Sequence, residues 1–383
     1  MSNPKILLLP SWYPSKVHST NGIFIRRYAE TICNDVHLKI LYAVSSDSVS
    51  KIEIEKTNQN GFEEYIVYYP KIKNGIFSAL HKLNLFYQAY HYGYEQIKSN
   101  GFIPDLVHVE VALNAGLFAV ELNKKYKIPY VITEHWSGYL PEDGRYKGIV
   151  KKYFAESVYK KAEGIATVSA CLGNSLVNAH LLKEYTVIPN PVQTEIFVPD
   201  VNPKTPTGLI HVSNFAKEKN VKGILNSFQK LIESGAETKL LLVGEGGEKN
   251  ELQKHCNENS TLKNRVEFLP YQTPQQLNTL LNKSYALVLF SSFETMSIVM
   301  AEAWACGKPV IVPNVGGIPE NFNSQSGIMI DPNNESQLLK AMQKIITDYS
   351  YFDSTTIRNH ALNKFSKNTV LKKSLDFYSQ HIK

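Results

Sequence analysis

The sequence predicts an α/β protein built from two doubly wound, Rossmann-like domains. Three observations carry this. Short, almost continuously apolar runs alternate with helical patterns along the whole chain, as expected for strands of parallel sheets covered on both faces. A length of 383 residues allows two domains of ordinary size. A polar stretch with five prolines, "IPNPVQTEIFVPDVNPKTPTG" (188–208), separates two such series and reads as their connection.

In chain order, the strands of the first half are "KILLLP" (5–10), "LKILYA" (38–43), "DLVHVE" (105–110), "YVITEH" (130–135) and "GIATVS" (164–169). Those of the second are "LIHVS" (209–213), "KLLLVG" (239–244), "RVEFLP" (265–270), 285–290 and 309–313. Between them, "SALHKLNLFYQAYHYGYEQIK" (78–98) puts Ala79, Leu83, Phe86, Tyr90, Tyr94 and Ile97 on one face of a helix. The stretch "SSFETMSIVMAEAWACGKPVIV" (291–312) reads as turn, helix and strand. Thr295 or Ser297 can cap the helix, Gly307 suits the position after its end, and Pro309 prevents its continuation. Glu294 then lies in the turn after a strand, and Glu302 about two turns into an apolar helix. One reading makes Glu294 a cap and Glu302 a side chain reaching out of a half-buried helix. The other gives both a ligand at the C-terminal edge of the sheet, where open α/β sheets bind ligands.

The bulk numbers narrow the function classes. Hydrophobic residues make up 43% and charged residues 20%, a globular composition. No apolar run reaches the roughly 18 residues of a membrane span, and "ILLLP" is too short for a signal segment, so a cytoplasmic location is expected. Cys33, Cys171, Cys256 and Cys306 form no C-x-x-C pair, which argues against a disulfide framework or a zinc site. Net charge is +6; residues 1–190 carry 21 basic and 17 acidic side chains, the remainder 20 and 18. That excess is too slight for nucleic-acid binding. In "LLLVGEGGEKNEL", Lys249 stands where a dinucleotide fingerprint needs glycine. No D-x-D occurs, so a phosphate site without bound metal is expected, and no cofactor.

Four stretches in order resemble the sugar-donor domain of family-4 retaining glycosyltransferases of the GT-B fold. They are "HVSNFAKEKNVKGIL" (211–225), "LLVGEGGEKNEL" (241–252), "VEFLPYQTPQQLNTLLNKSYALVLFSSFETMSIVMAEAWACGKPVIV" (266–312) and "NVGGIPE" (314–320). Their most specific mark is the E-x7-E of Glu294 and Glu302. "PSWYPSKVHSTNGIFIRRYAETI" (10–32) resembles the opening of bacterial cell-surface polysaccharide transferases, and "FSKNTVLKKSLDFYSQHI" (365–382) the helix that returns to the N-terminal domain. The resemblance implies an acceptor-side domain over 1–189 with a crossing helix at 366–383, a linker at 190–204, a nucleotide-sugar domain over 205–365, and a cleft between the domains.

The resemblance also implies roles. Glu302 would bind ribose hydroxyls and Glu294 hydroxyls of the transferred sugar. The amides of Met296, Ser297 and Ile298 would meet sugar and diphosphate at a helix N-terminus. Lys219 would face the diphosphate, with Asn214 where an arginine is commonest and Thr295 and Ser297 where glycines are common. Gly244 falls in the glycine-rich loop of the sugar-donor site, and the base would be read near Pro270 and Tyr271. In the first domain, Gly22 would let backbone approach the diphosphate, His135 would face the reacting sugar, and Asn190 would be a hinge residue. The implied catalytic set is His135, Lys219 and Glu294.

The activity so implied is transfer of a sugar from a nucleoside-diphosphate sugar to an acceptor hydroxyl with retention, in surface polysaccharide or glycan assembly. The acceptor would be a glycan or a lipid-linked glycan. Basic and aromatic residues in "YYPKIKNGIF" (68–77) and "RYKGIVKKYFAESVYKK" (145–161) suggest peripheral contact with an anionic inner membrane. The rival readings are a non-catalytic nucleotide-sugar-binding protein, for which Asn214 speaks, and a GT-B sugar-nucleotide epimerase, which the E-x7-E spacing disfavours.

Overall fold

The computed structural model describes residues 3–59, 61–72, 78–202 and 205–382. The chain divides into two compact units: residues 1–139, 144–191 and 370–383, and residues 140–143 and 192–369.

The first unit holds an eight-stranded sheet. Its strands are β1 (Lys5–Pro10), β2 (His37–Ser46), β3 (Glu53–Gln59), β4 (Phe62–Pro70), β5 (Leu106–Glu110), β6 (Tyr130–Glu134), β7 (Gly164–Thr167) and β8 (Thr186–Val187). Their spatial order is β3-β4-β2-β1-β5-β6-β7-β8. All neighbours are parallel except β3 and β4, which form an antiparallel hairpin. That hairpin is absent from the sequence reading: β3, EIEKTNQ, is polar apart from Ile54, and the apolar run of β4, Tyr65–Tyr69, follows two glutamates. Glu63 and Glu64 on β4 are held by partners: Lys39 and Lys56 lie 3.1 and 2.8 Å from Glu63, and the Tyr13 hydroxyl donates to Glu64.

The core of this unit is made by Ile6, Leu8, Ile40, Leu106 and Val131 from the sheet, with Ile25, Tyr28 and Ile32 from the helix Ile23–Ile32. Val370, Phe377 and Tyr378 of the helix Lys367–His381 belong to the same cluster. The Tyr378 hydroxyl lies 2.7 Å from His108 Nδ1 and 3.1 Å from the Tyr28 hydroxyl.

The helix Ser78–Ser99 departs from the single apolar face read from the sequence. Tyr90, Tyr94 and Ile97 are buried, but Ala79 and Leu83 are exposed. The stripe is covered by the sheet only along its second half. Residues 73–77 of the basic, aromatic stretch before it lie outside the described residues.

The second unit holds a six-stranded, all-parallel sheet of β9 (Gly208–Val212), β10 (Lys239–Val243), β11 (Val266–Leu269), β12 (Ser284–Val288), β13 (Val310–Pro313) and β14 (Gly327–Ile330). Its order, β11-β10-β9-β12-β13-β14, reverses direction at β9 and β12. The loops after β9 and β12 therefore leave the same edge side by side, which is the switch point where such sheets bind ligands.

Candidate functional site

At this edge the chain runs from β9 through Ser213–Ala216 into a short 3-10 turn, Lys217–Lys219, and then the helix Val221–Glu233. Asn220 turns the chain at positive φ and caps that helix by accepting from Gly223 N. Lys219 is thereby presented toward the neighbouring β12 loop. Its Nζ donates to Glu294 Oε1 at 2.7 Å, and the Ser291 hydroxyl donates to the same oxygen at 2.9 Å. Glu294 is buried, so the pair is shielded from bulk water and bears on any charged group brought beside it. Beneath it, burial holds His211 neutral, with its pKa pushed down to about 4. His211 Nδ1 lies 2.8 Å from the Val288 carbonyl, and Nε2 is 2.8 Å from Ser213 Oγ, which accepts from Phe215 N. This chain stiffens the loop that carries Asn214.

Two glycine motifs follow from close approach. A Cβ on Gly316 would lie 1.8 Å from the Glu294 carbonyl oxygen, and Gly316 sits at φ 52. Only glycine lets this turn close over Glu294, to which Gly317 N donates at 3.0 Å. A Cβ on Gly244 would likewise meet the Ser213 carbonyl at 1.8 Å. Gly244 thus joins the loop after β10 to the loop of Asn214.

Thr295, Met296 and Ser297 lead into the helix Ile298–Ala305, whose cap is Ser297: its Oγ accepts from Met300 N at 3.4 Å. Thr295, the alternative read from the sequence, precedes the cap. Ile298 opens the helix, where backbone N–H groups have no intrahelical acceptor. Glu302 lies on the same helix at 4% exposure, between fully buried Ala301 and Ala303. Burial first, then the Glu302 carboxylate, push the Cys306 thiol far above its ordinary range. Arg358 holds the end of this helix by donating to the carbonyls of Ala305, Phe197 and Thr194. Tyr271 is half exposed beyond β11. Lys219 and Glu294 are thus in direct contact, Gly244 and Asn214 share a loop junction, and Glu302 sits farther along the helix that begins after Glu294. Asn214 is exposed.

Gly22 and His135 belong to the first unit. Gly22, at φ 69, precedes the helix Ile23–Ile32, and a Cβ there would meet the Trp12 carbonyl at 2.3 Å. Phe24 of that helix packs on the His135 ring, centroids 4.8 Å apart. Glu134 ends β6 and receives His135 N at 2.9 Å and Trp136 N at 2.8 Å on one oxygen, Ala112 N and the Tyr159 hydroxyl on the other. Sequence reading left unassigned Ser291, His211 and Glu110. Glu110 carried a signal, a carboxylate closing an apolar strand one strand away from His135.

Two family descriptions match adjoining parts of the chain: Glycosyl transferases group 1 over residues 192–368, and Glycosyltransferase Family 4 over residues 55–196. A glycogen synthase of Mycobacterium tuberculosis is 27% identical over 64% of this chain and 61% of its own length, so the chain spans less than two thirds of that relative. The O-antigen chain mannosyltransferase B of Escherichia coli is 25% identical over 44% of this chain and 45% of the relative. Among solved structures, Anabaena HepE in complex with UDP superposes with a TM-score of 0.75, at 17% identity over 98% of this chain and 99% of that one.

Proposed function

The chain belongs to the family-4 glycosyltransferases and has the GT-B fold, and from that premise we propose that it moves a sugar from a nucleoside-diphosphate sugar to an acceptor hydroxyl with retention of configuration. The observation that carries this is the Lys219–Glu294–Ser291 cluster at the switch point of a parallel sheet, beside a helix N-terminus. A cation and backbone N–H groups suit a departing diphosphate, and a carboxylate suits sugar hydroxyls. In this reading the protein contributes positioning and stabilisation of the leaving group. The departing diphosphate takes the acceptor's proton on the face that it leaves. An acceptor in surface polysaccharide assembly is supported by the O-antigen mannosyltransferase among the relatives.

The test is release of nucleoside diphosphate from a panel of nucleotide-sugars, with and without oligosaccharide and lipid-linked acceptors. Acceptor-dependent release from one of them is expected. Tight binding without release from any would favour a nucleotide-sugar sensor instead, a reading suited to the uncharged Asn214.

Turnover in this reading needs no divalent metal, since the sequence has no D-x-D and Lys219 with the helix N-terminus meets the diphosphate. Activity is expected to persist in EDTA. Loss on chelation and recovery with magnesium or manganese would overturn that expectation.

A lipid-linked acceptor would place the protein on an anionic membrane face. No helix among the described residues is long and apolar enough to cross a membrane. The helix Ile149–Tyr159, however, begins with Ile149, Val150 and Tyr153 at 87%, 68% and 70% exposure, beside Lys147, Lys151 and Lys152. Each lysine near an anionic surface contributes about 1 kcal/mol, so attachment is weak and salt-sensitive. The protein is expected to pellet with anionic vesicles at low salt and to leave them at high salt. Reversing the three lysines to glutamate abolishes pelleting. Equal recovery with neutral and anionic vesicles would exclude this attachment.

A further inference from the structure

We propose that Glu110 is a positioning residue for His135: it keeps the imidazole proton on Nε2, so that Nδ1 stands as a hydrogen-bond acceptor for a sugar hydroxyl. The proposal rests on the transfer reaction inferred above.

Glu110 closes β5 and is 1% exposed. Its Oε2 lies 2.6 Å from His135 Nε2. An ionised carboxylate only accepts, so the proton in that contact belongs to Nε2, and the tautomer follows from the partner. His135 Nδ1 is buried and has no hydrogen-bond partner among the described residues. The His135 side chain is 7% exposed. A buried ring nitrogen without a partner is costly, and such groups call for an explanation. A sugar hydroxyl supplies the missing proton, whereas a diphosphate oxygen cannot. Phe24, packed on the His135 ring, also lines a groove of about 710 Å³ with Val17, His18, Ser19, Thr20, Asn21 and Gly22.

The surroundings keep Glu110 committed to His135. The other titratable groups placed against it are His108, Tyr28 and Tyr378. Burial lowers the His108 pKa, so no second cation competes for the carboxylate. Burial raises both phenols, which stay neutral. The Tyr378 hydroxyl can donate to His108 Nδ1, turning His108 Nε2–H toward Thr133 Oγ1 at 2.8 Å and Glu110 Oε1 at 3.6 Å. His135 is thus the hydrogen-bond partner of Oε2, while Oε1 is buried with no hydrogen-bond partner among the described residues and only faces the neutral His108 ring at 3.6 Å. With the His135 backbone pinned by Glu134, the ring has one orientation and one tautomer.

The experiment reads the tautomer directly. Two-bond ¹H–¹⁵N spectra of the ¹⁵N-labelled full chain, at a pH where the ring is neutral, report which nitrogen is protonated; His135→Asn assigns the signal. The wild type is expected to show the Nε2–H form. In Glu110→Gln the amide can donate to Nε2, so the signal moves toward the Nδ1–H form, and Glu110→Asp keeps the wild-type form. With the nucleotide-sugar that the panel identifies, Glu110→Gln is expected to lose about 10- to 100-fold in kcat, as for an acceptor turned into a misplaced donor, with KM changed little. The melting temperature should stay near that of the wild type, which a merely structural role would not allow. An Nδ1–H wild type, or a Glu110→Gln protein with unchanged tautomer and turnover, would overturn the proposal. If no nucleotide-sugar is turned over, the transfer reading fails, and with it the sugar contact. The spectra would still decide whether Glu110 sets the proton.

Discussion

Replacing Lys219 by alanine is expected to lower kcat by about 10²–10³-fold, the scale seen when one preorganised group facing developing charge is removed. Charge grows on the diphosphate as the sugar leaves, so the loss falls on the chemical step more than on binding. Asn214 cannot compensate, because its amide carries no charge. The substitution also leaves Glu294 Oε1 with the Ser291 hydroxyl but without its cation. Lys219→Arg separates the two effects, since it keeps a charge against Glu294 while altering the geometry toward the diphosphate. Asn214→Arg is expected to restore part of the activity of Lys219→Ala by returning a cation to the adjoining loop. Near wild-type turnover in Lys219→Ala would show that the diphosphate binds elsewhere.

The second large effect is on binding. Glu302→Ala should raise KM for the nucleotide-sugar by roughly 10- to 150-fold, since hydrogen bonds to a charged acceptor contribute about 1.5–3 kcal/mol. The ribose contact proposed for Glu302 is the same before and during transfer, so kcat should change much less. Titration calorimetry with the nucleoside diphosphate product checks this without turnover. An unchanged dissociation constant would remove Glu302 from the site.

Much of this architecture was legible in the sequence, for a physical reason. Parallel strands buried on both faces must be apolar throughout, so runs such as "LIHVS" and "KLLLVG" announce themselves, and β9 and β10 lie where they fall. The turn and helix around Glu294 were legible because caps and stops are local chemistry. The β3–β4 hairpin was not, because its carboxylates are tolerated only through partners such as Lys39 and Tyr13, distant in sequence. The site divides in the same way. Lys219 and Glu294 could be named individually, yet their contact spans 75 positions and exists only because β9 and β12 are neighbours. Glu110 and His135, 25 apart, meet because β5 and β6 pair with Glu110 opposite Thr133. Side chains brought together by strand pairing leave no spacing rule to read.

The helix Lys367–His381 has a consequence for how the molecule is made. Val370, Phe377 and Tyr378 complete the core of the first unit, but they follow residues 192–369, all 178 of which belong to the other unit. At translation rates of about 5–20 residues per second, that interval lasts roughly 10–35 s. Throughout it, the first 191 residues have left the ribosome's active centre while the surface around Tyr28 and His108 still awaits its cover. The later-made unit, almost one continuous stretch of chain, can finish folding before the earlier one. The core of the first unit therefore cannot close until residues 370–378 have been made, after the whole of 192–369.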